Sequence, residues 1–190
     1  MDLGTGDGRF VYRSALREPG RFFIGIDTNA APLRKISEKI YRRPEKGGAP
    51  NALFLQAAAE QLPEELYGIA SEVRVQFPWG SLLRGVVRGE DLMLRQLRAL
   101  LQPGGQLLLV IGFDAERDLT ELNRLGITEL SLAYLQQTLV PSYEAAGFLV
   151  ESAEILSPSE WPEIESSWAK KLRGGVNRKL IHLRARAITS

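Results

Sequence analysis

Residues 2–8 read Asp2-Leu3-Gly4-Thr5-Gly6-Asp7-Gly8, and residues 22–27 read Phe22-Phe23-Ile24-Gly25-Ile26-Asp27. The first stretch has the composition of a tight turn between the tail of a strand, residues 1–3, and a helix over residues 9–17 that stops at Pro19-Gly20. Glycines in such a turn permit positive φ and let a ligand approach the backbone closely. The second stretch is a short apolar run, as expected of a buried strand, and it closes on an acid about 20 residues beyond the turn. A strand, a glycine turn, a helix and a strand ending in Asp27 describe one half of a parallel, nucleotide-type α/β sheet.

The same alternation continues outward. Residues 32–42 place Leu33, Ile36 and Ile40 on one helical face. Strands are expected over residues 52–56, 73–76, 106–111, 147–155 and 179–188. Residues 90–101 form an amphipathic helix that stops at Pro103-Gly104-Gly105, and residues 130–146 form another, kinked or divided at Pro141. Residues 112–128 fit either a loop or a loop with a short helix. The pattern predicts a doubly wound, mostly parallel sheet in a single α/β domain spanning residues 1–190.

Composition narrows the function classes. The 190 residues are 44% hydrophobic and 25% charged, ordinary for a globular protein, and no apolar run is long enough to span a bilayer. The absence of cysteine removes disulfides and thiolate metal sites, and the one histidine, His182, leaves little for any other metal. The first residues have neither a basic nor an apolar signal region, so the expected location is cytoplasmic, with no membrane and no metal involved. The net charge of +1 is uninformative, but seven basic residues and no acid lie between positions 170 and 186: Lys170, Lys171, Arg173, Arg178, Lys179, Arg184 and Arg186. That stretch is either a solvated face or a patch that contacts nucleic-acid phosphate.

The chemistry of the turn separates two kinds of cofactor. A dinucleotide needs a helix N-terminus clear of negative charge to hold its pyrophosphate. Asp2 and Asp7 instead crowd this turn, which suits a cationic amino group and a sulfonium. The cofactor that fits is S-adenosylmethionine, held by Asp2, Gly4, Thr5 and Gly6 of the turn and by Asp27 at the ribose. Asp27 could alternatively cap the helix that follows it. Ala59-Glu60, past the third strand, is expected near the adenine, although Glu60 could equally be the charge at a helix N-terminus.

After the fourth strand comes Phe77-Pro78-Trp79-Gly80-Ser81-Leu82-Leu83-Arg84-Gly85. In this fold class the carboxyl end of that strand borders the reacting group, so Phe77 and Ser81 join the candidate cofactor residues. Pro78 stiffens the backbone and Gly80 lets it turn, so Trp79 should be projected from a loop; the alternative is a core tryptophan. Trp168 stands directly before the basic stretch. Two indoles presented from separate loops can sandwich a base taken out of its stack, at roughly 1–3 kcal/mol per stacked base. Trp161 has Pro162 after it and no assigned role, and is read as structural.

Taken together, Asp2–Gly8, Asp27, the Lys46-Gly47-Gly48-Ala49-Pro50-Asn51 loop, Ala59-Glu60, the Pro78–Gly85 run and Ser166-Ser167-Trp168 resemble the aminoglycoside-resistance 16S rRNA methyltransferases. The type concerned modifies N1 of adenine 1408 and gives kanamycin–apramycin resistance. The resemblance covers nearly the whole chain and is weakest over residues 112–128. It implies a class I, Rossmann-like methyltransferase fold of seven strands. Its implied cofactor is S-adenosylmethionine, held by Asp2, Gly4, Asp27, Ala59 and Glu60. It further implies that Trp79 and Trp168 stack on a flipped adenine with Ser166 supporting, and that Lys171 and Arg178 contact phosphate of 16S rRNA in the 30S subunit. Lys170, Arg173 and Lys179 extend that patch, and a monomer is expected.

Two departures stand out. Lys171 occupies a position where the family tends to carry Arg, whose planar fork grips phosphate differently. Members of the family also carry residues ahead of the glycine turn, so the first strand is expected to be truncated here and Met1 to be an internal residue of a longer natural protein. Two other functions fit the same residues. A methyltransferase of small molecules would need no phosphate patch, and a non-catalytic RNA-binding relative would not hold cofactor.

Overall fold

The computed structural model describes residues 1–114, 116–127, 130–161 and 178–188. Seven strands form one sheet in the order β3-β2-β1-β4-β5-β7-β6. They are β1 (Asp2–Leu3), β2 (Phe23–Asp27), β3 (Ala52–Gln56), β4 (Ala70–Gln76), β5 (Leu101–Phe113), β6 (Phe148–Leu156) and β7 (Lys179–Ala187). The first five run parallel, and β7 is antiparallel to both β5 and β6. The order reverses at β1 and β4, where the chain crosses from one half of the sheet to the other, and in open α/β sheets that switch point is where ligands bind.

Alternation along the strands divides the core. Leu3, Ile24, Ile26, Val73, Val75, Leu107, Leu109, Ile111, Ile181 and Leu183 face one way and build the main core. Helices α3 (Gly80–Arg88), α4 (Asp91–Leu100), α5 (Leu119–Arg124) and α7 (Val140–Ala145) contribute to the same core. Phe23, Ala52 and Phe54 face the other way, against Val11, Tyr12 and Ala15 of α1 (Arg9–Arg17) and Ile36 and Ile40 of α2 (Ala30–Ile40). Phe77, Val110, Leu180 and Trp161 form a third, small cluster on that second side. In β7, Ile181, Leu183, Ala185 and Ala187 point into the main core, leaving Leu180, His182, Arg184 and Arg186 on the opposite face.

One strand boundary differs from the sequence expectation, one helix adds to it, and the division expected around Pro141 is present. Residues 80–88, left unassigned by the sequence pattern, are helix despite two glycines. Gly85 is there because a Cβ at that position would sit 2.8 Å from Met93 Cγ, so the glycine lets α3 and α4 touch. Strand β5 begins at Leu101, ahead of the Pro103-Gly104-Gly105 turn, with a register shift against Ala70 and Glu72 of β4. Around Pro141, α6 (Leu132–Tyr134) passes into a π-helical turn (Leu135–Leu139) and then into α7. Pro141 has no N–H to donate, and widening the turn ahead of it re-registers the ladder instead of breaking it. Ser142 Oγ satisfies the Thr138 carbonyl at 2.8 Å.

Strand β1 has two residues, yet it holds the middle of the sheet. Asp2 and Leu3 pair with Gly25 and Ile26 on one side and with Arg74 and Val75 on the other. The Met1 ammonium donates to the Glu72 carbonyl at 2.6 Å, and the Met1 carbonyl accepts from Arg74 N at 2.8 Å. Met1, Phe23, Ile24, Ala70, Ser71, Leu108 and Val110 are among the residues bordering a cavity of about 430 Å³.

Candidate active site

The glycine turn folds as its composition requires. Gly4, Gly6 and Gly8 all take positive φ, at 76°, 60° and 69°. Gly8 also lies so close to the second apolar cluster that a Cβ would come within 2.6 Å of Phe54 Cε1. The turn is tied to β2 by Gly4 N and Thr5 N, which both donate to the Ile26 carbonyl, and by Gly6 N, which donates to Asp27 Oδ2 at 2.8 Å. The other Asp27 oxygen accepts from Asn29 N at 2.9 Å. Asn29, not Asp27, caps α2, its Oδ1 accepting from Ala31 N. Asp27 is therefore the residue that fixes the turn against the strand end.

An open cleft of about 210 Å³ lies over the switch point. Leu3, Gly4, Gly6, Ile26, Asp27, Thr28, Ala57, Ala59, Glu60, Gln76, Phe77, Pro78, Trp79, Ser81 and Leu82 line it. The cleft thus collects Gly4, Gly6, Asp27, Ala59, Glu60, Phe77 and Ser81 from the expected set. Glu60 lies in a turn with no helix starting at it, so the helix-charge alternative does not apply. Asp2 and Thr5 are not in the wall. They are buried beneath the floor, with Thr5 Oγ1 donating to Asp2 Oδ2 at 2.7 Å. Gln76 connects the two layers, lining the cleft and donating to Asp2 Oδ1 at 3.4 Å. Sequence reasoning passed over Gln76, although its position as the last residue of β4 was the available signal.

The donor set decides which cofactor fits. Two carboxylates, Asp27 and Glu60, face the cleft, a third, Asp2, lies under it, and among the described residues no Lys, Arg or His is in the lining. Burial pushes the Asp2 carboxyl up to about 6, against the opposing hydrogen bonds from Thr5 and Gln76. Such a cleft repels phosphate and favours a cation, while Ile26, Ala57, Ala59, Phe77 and Leu82 offer apolar surface to a flat ring. S-adenosylmethionine, a sulfonium with an ammonium group and an adenine, matches this set.

At the rim, Phe77 is the one non-glycine with positive φ among the described residues, at 50°. A conformation of this kind costs on the order of 1–3 kcal/mol and persists only where its surroundings over-determine it. Here Phe77 N donates to the Val110 carbonyl at 2.7 Å, and the Phe77 ring packs on Trp161, centroids 6.1 Å apart. The chain leaves Pro78 with Trp79 at the N-cap of α3, and Trp79 stands 47% exposed at the mouth of the cleft. Trp161, read from sequence as structural, is buried.

The second expected indole is not placed. Ser166, Trp168, Lys170, Lys171 and Arg173 lie outside the described residues. Of the remaining basic candidates, Lys179 is exposed at the start of β7. Arg178 requires correction. It was expected on a phosphate-contacting surface, but it is buried, donating to both oxygens of Asp118 at 2.8 and 3.3 Å and to the Gly112 carbonyl. A guanidinium taken from water is retained where it is paired, and Asp118 supplies the pairing. Arg186 is likewise engaged, with Glu151 at 2.9 Å. A basic surface that the sequence reading missed lies on and after α2, where Arg34, Lys35, Arg42, Arg43 and Lys46 are all exposed. The signal was present, but spread over 13 positions instead of forming a run. Among the described residues no cluster of His, Asp and Glu could hold a metal ion, and no helix is long and apolar enough to cross a membrane.

Comparison with known proteins agrees with this geometry. Residues 1–187 match the model of the NpmA family, 16S rRNA (adenine(1408)-N(1))-methyltransferase. The curated protein of that name from Streptoalloteichus tenebrarius is 36% identical over 94% of this chain and 81% of its own length. Its counterpart from Escherichia coli is 34% identical over 96% and 84%. Among solved structures, the aminoglycoside resistance methyltransferase NpmB1 superimposes with a TM-score of 0.87 at 47% identity, covering 98% of this chain and 85% of its own. A variant of the Catenulisporales acidiphilia enzyme, crystallised with cosubstrate SAM, gives 0.86 at 36% identity, covering 99% and 84%. With its strand order, its acid-lined cleft and these relatives in agreement, the chain belongs to the 16S rRNA (adenine(1408)-N(1))-methyltransferase family.

Proposed function

We propose that this protein transfers a methyl group from S-adenosylmethionine to N1 of adenine 1408 in 16S rRNA of the 30S subunit. It would act as a single-domain monomer in the cytoplasm, and the modification would confer aminoglycoside resistance. The observation that carries the reading is a cleft lined, among the described residues, by two carboxylates and no cation, opening beneath an exposed indole at the switch point of the sheet.

Bound in the cleft, S-adenosylmethionine supplies an electrophilic methyl carbon. Adenine N1 presents an available lone pair, so attack needs no prior proton removal: the N1–C bond forms as the carbon–sulfur electron pair returns to sulfur. The protein's contribution is placement. Asp27 and Glu60 orient the cofactor's polar groups, and the negative charge at Asp2 favours its cationic end. Trp79, opposed by Trp168 in this proposal, holds the extruded base over the methyl, with Ser166 supporting that side. Alignment of two reactants in this way can supply roughly 7–11 kcal/mol of the barrier. As positive charge passes to the adenine, the indole faces favour it. Lys170, Lys171, Arg173 and Lys179 would hold rRNA phosphate.

The test is to incubate the protein with labelled S-adenosylmethionine and purified 30S subunits, then map reverse-transcription stops. A single new stop at adenine 1408, with label in 16S rRNA, is the expected result. Cofactor binding without any label in rRNA would overturn the reading in favour of a small-molecule methyltransferase, and no cofactor binding would leave a non-catalytic relative.

A further inference from the structure

Trp161 does not line the cleft, yet its position bears on the reacting geometry. It follows a 3-10 turn (Pro158–Glu160) that is itself locked. Glu160 Oε2 accepts from Ser157 N at 2.8 Å while the Ser157 side chain accepts from the Glu160 backbone N–H, a complete capping box. This turn delivers the Trp161 ring to the third apolar cluster, where it packs with Phe77, Val110 and Leu180, and Leu156 closes the side. The cluster is separate from both larger cores and contains the one strained non-glycine backbone of the described chain, at Phe77. Two residues beyond Phe77 stands Trp79.

We infer that Trp161 is a positioning residue for methyl transfer: by packing on the Phe77 ring it holds the left-handed backbone at Phe77 and thereby sets the direction in which Trp79 leaves Pro78. The hydrogen bond to Val110 and the ring contact with Trp161 both restrain Phe77. The hydrogen bond fixes the end of β4 and does not engage the ring. The Trp161 ring, packed on Phe77 beside Val110 and Leu180, opposes relaxation of the Phe77 ring, and with it of the φ that aims Pro78-Trp79. A side chain remote from the ligand thereby controls an alignment in which an error of 1 Å can cost on the order of 100-fold in rate.

The kinetic arm of the test rests on the proposed methyl transfer; the spectroscopic arm does not. Trp161→Leu keeps apolar volume in the cluster but removes the ring, and Trp161→Phe keeps a ring. With 30S subunits, Trp161→Leu should lower kcat by about 100-fold while KM for 30S and cofactor affinity stay within about twofold. Trp161→Phe should recover most of the loss. A merely structural residue would instead change stability without this split or this rescue.

For the second arm, each variant also carries Trp168→Phe, leaving Trp79 as the sole indole, and time-resolved fluorescence anisotropy reads its motion. The Phe variant should show one slow component, and the Leu variant an added fast one. Identical anisotropy decays, or an unchanged kcat in folded Trp161→Leu, would overturn the inference whether or not rRNA proves to be the substrate. If the wild type fails to methylate 30S subunits but the anisotropy differs as expected, the functional proposal falls and the positioning role of Trp161 stands.

Discussion

Asp118 grips Arg178 with both carboxylate oxygens, at 2.8 and 3.3 Å, and so joins the loop after β5 to the residue that precedes β7. Asp118 Oδ2 also accepts from Asp114 N at 2.9 Å, so one carboxylate organises the loop and the strand entry together. Both side chains are mostly buried, at 10% and 16% exposure, which places the pair among those whose disruption is expensive. Asp118→Ala should therefore destabilise the fold by roughly 3–5 kcal/mol, because it leaves a buried guanidinium without a counter-charge. Urea denaturation at neutral pH measures this. A loss below about 1 kcal/mol would show that Arg178 swings out to water when its partner is removed.

The Asp2 carboxyl makes cofactor affinity depend on pH. Its folded value is about 6 against an ordinary 3.8, so the fold favours the protonated form. In the ligand-free protein this contribution to stability is fully present below about pH 3.8 and is lost as pH rises through 6, on the order of 3 kcal/mol in all. A cation in the cleft favours the ionised form, so S-adenosylmethionine should bind more weakly as pH falls from 7 to 5. Asp2→Asn should flatten that dependence while raising the ligand-free Tm at pH 7.5. Isothermal titration across the range, paired with thermal melts, checks both, and a Kd in the wild type that does not change with pH would refute the argument.

Trp79→Ala should abolish methylation of 30S subunits with little effect on folding or on cofactor binding. The side chain stands half in solvent, so its removal costs little core packing. Loss of a base stack is worth roughly 1–3 kcal/mol in binding, and the misplaced base costs more in kcat. The reverse-transcription assay and calorimetry, run side by side, distinguish these effects. Normal methylation by the alanine variant would remove Trp79 from the site.

Gly48→Ala tests the loop after α2. A Cβ at Gly48 would stand 1.7 Å from the Arg42 carbonyl oxygen, a backbone atom that cannot rotate away. The loop must then separate from the end of α2, breaking the bond from Gly48 N to the Arg43 carbonyl. A loss at the upper end of about 1–3 kcal/mol is expected. Gly20→Ala, where nothing lies within 4 Å of the added carbon, serves as the control and should change stability by less than about 1 kcal/mol. Equal effects at the two positions would contradict the packing described.

How much of this was legible beforehand depended on the range of the interactions concerned. The glycine turn, Asp27 and the strand periodicity are local: backbone sterics and alternation act within a few residues, and the structure follows them closely. Helix α3 has no clear local signal because Gly80 and Gly85 carry poor helix propensity, and the compensation at Gly85, close contact with Met93, comes from a different helix. The π-helical turn ahead of Pro141 is similar, since the proline announced a disruption but only the packing around it selected which one.

The amino-acid sequence by itself determined the alternating α/β order, the glycine turn with its acids and the family, because these depend on local sterics and on the pattern of residue types. Only the tertiary structure decided that Asp2 lies under the cleft and not in it, that Arg178 is committed to Asp118, and that Trp161 braces Phe77. Each of those outcomes joins groups separated by many residues or turns on burial. Burial sets the protonation of a carboxylate and the partner of a guanidinium, and no stretch of the chain specifies it alone.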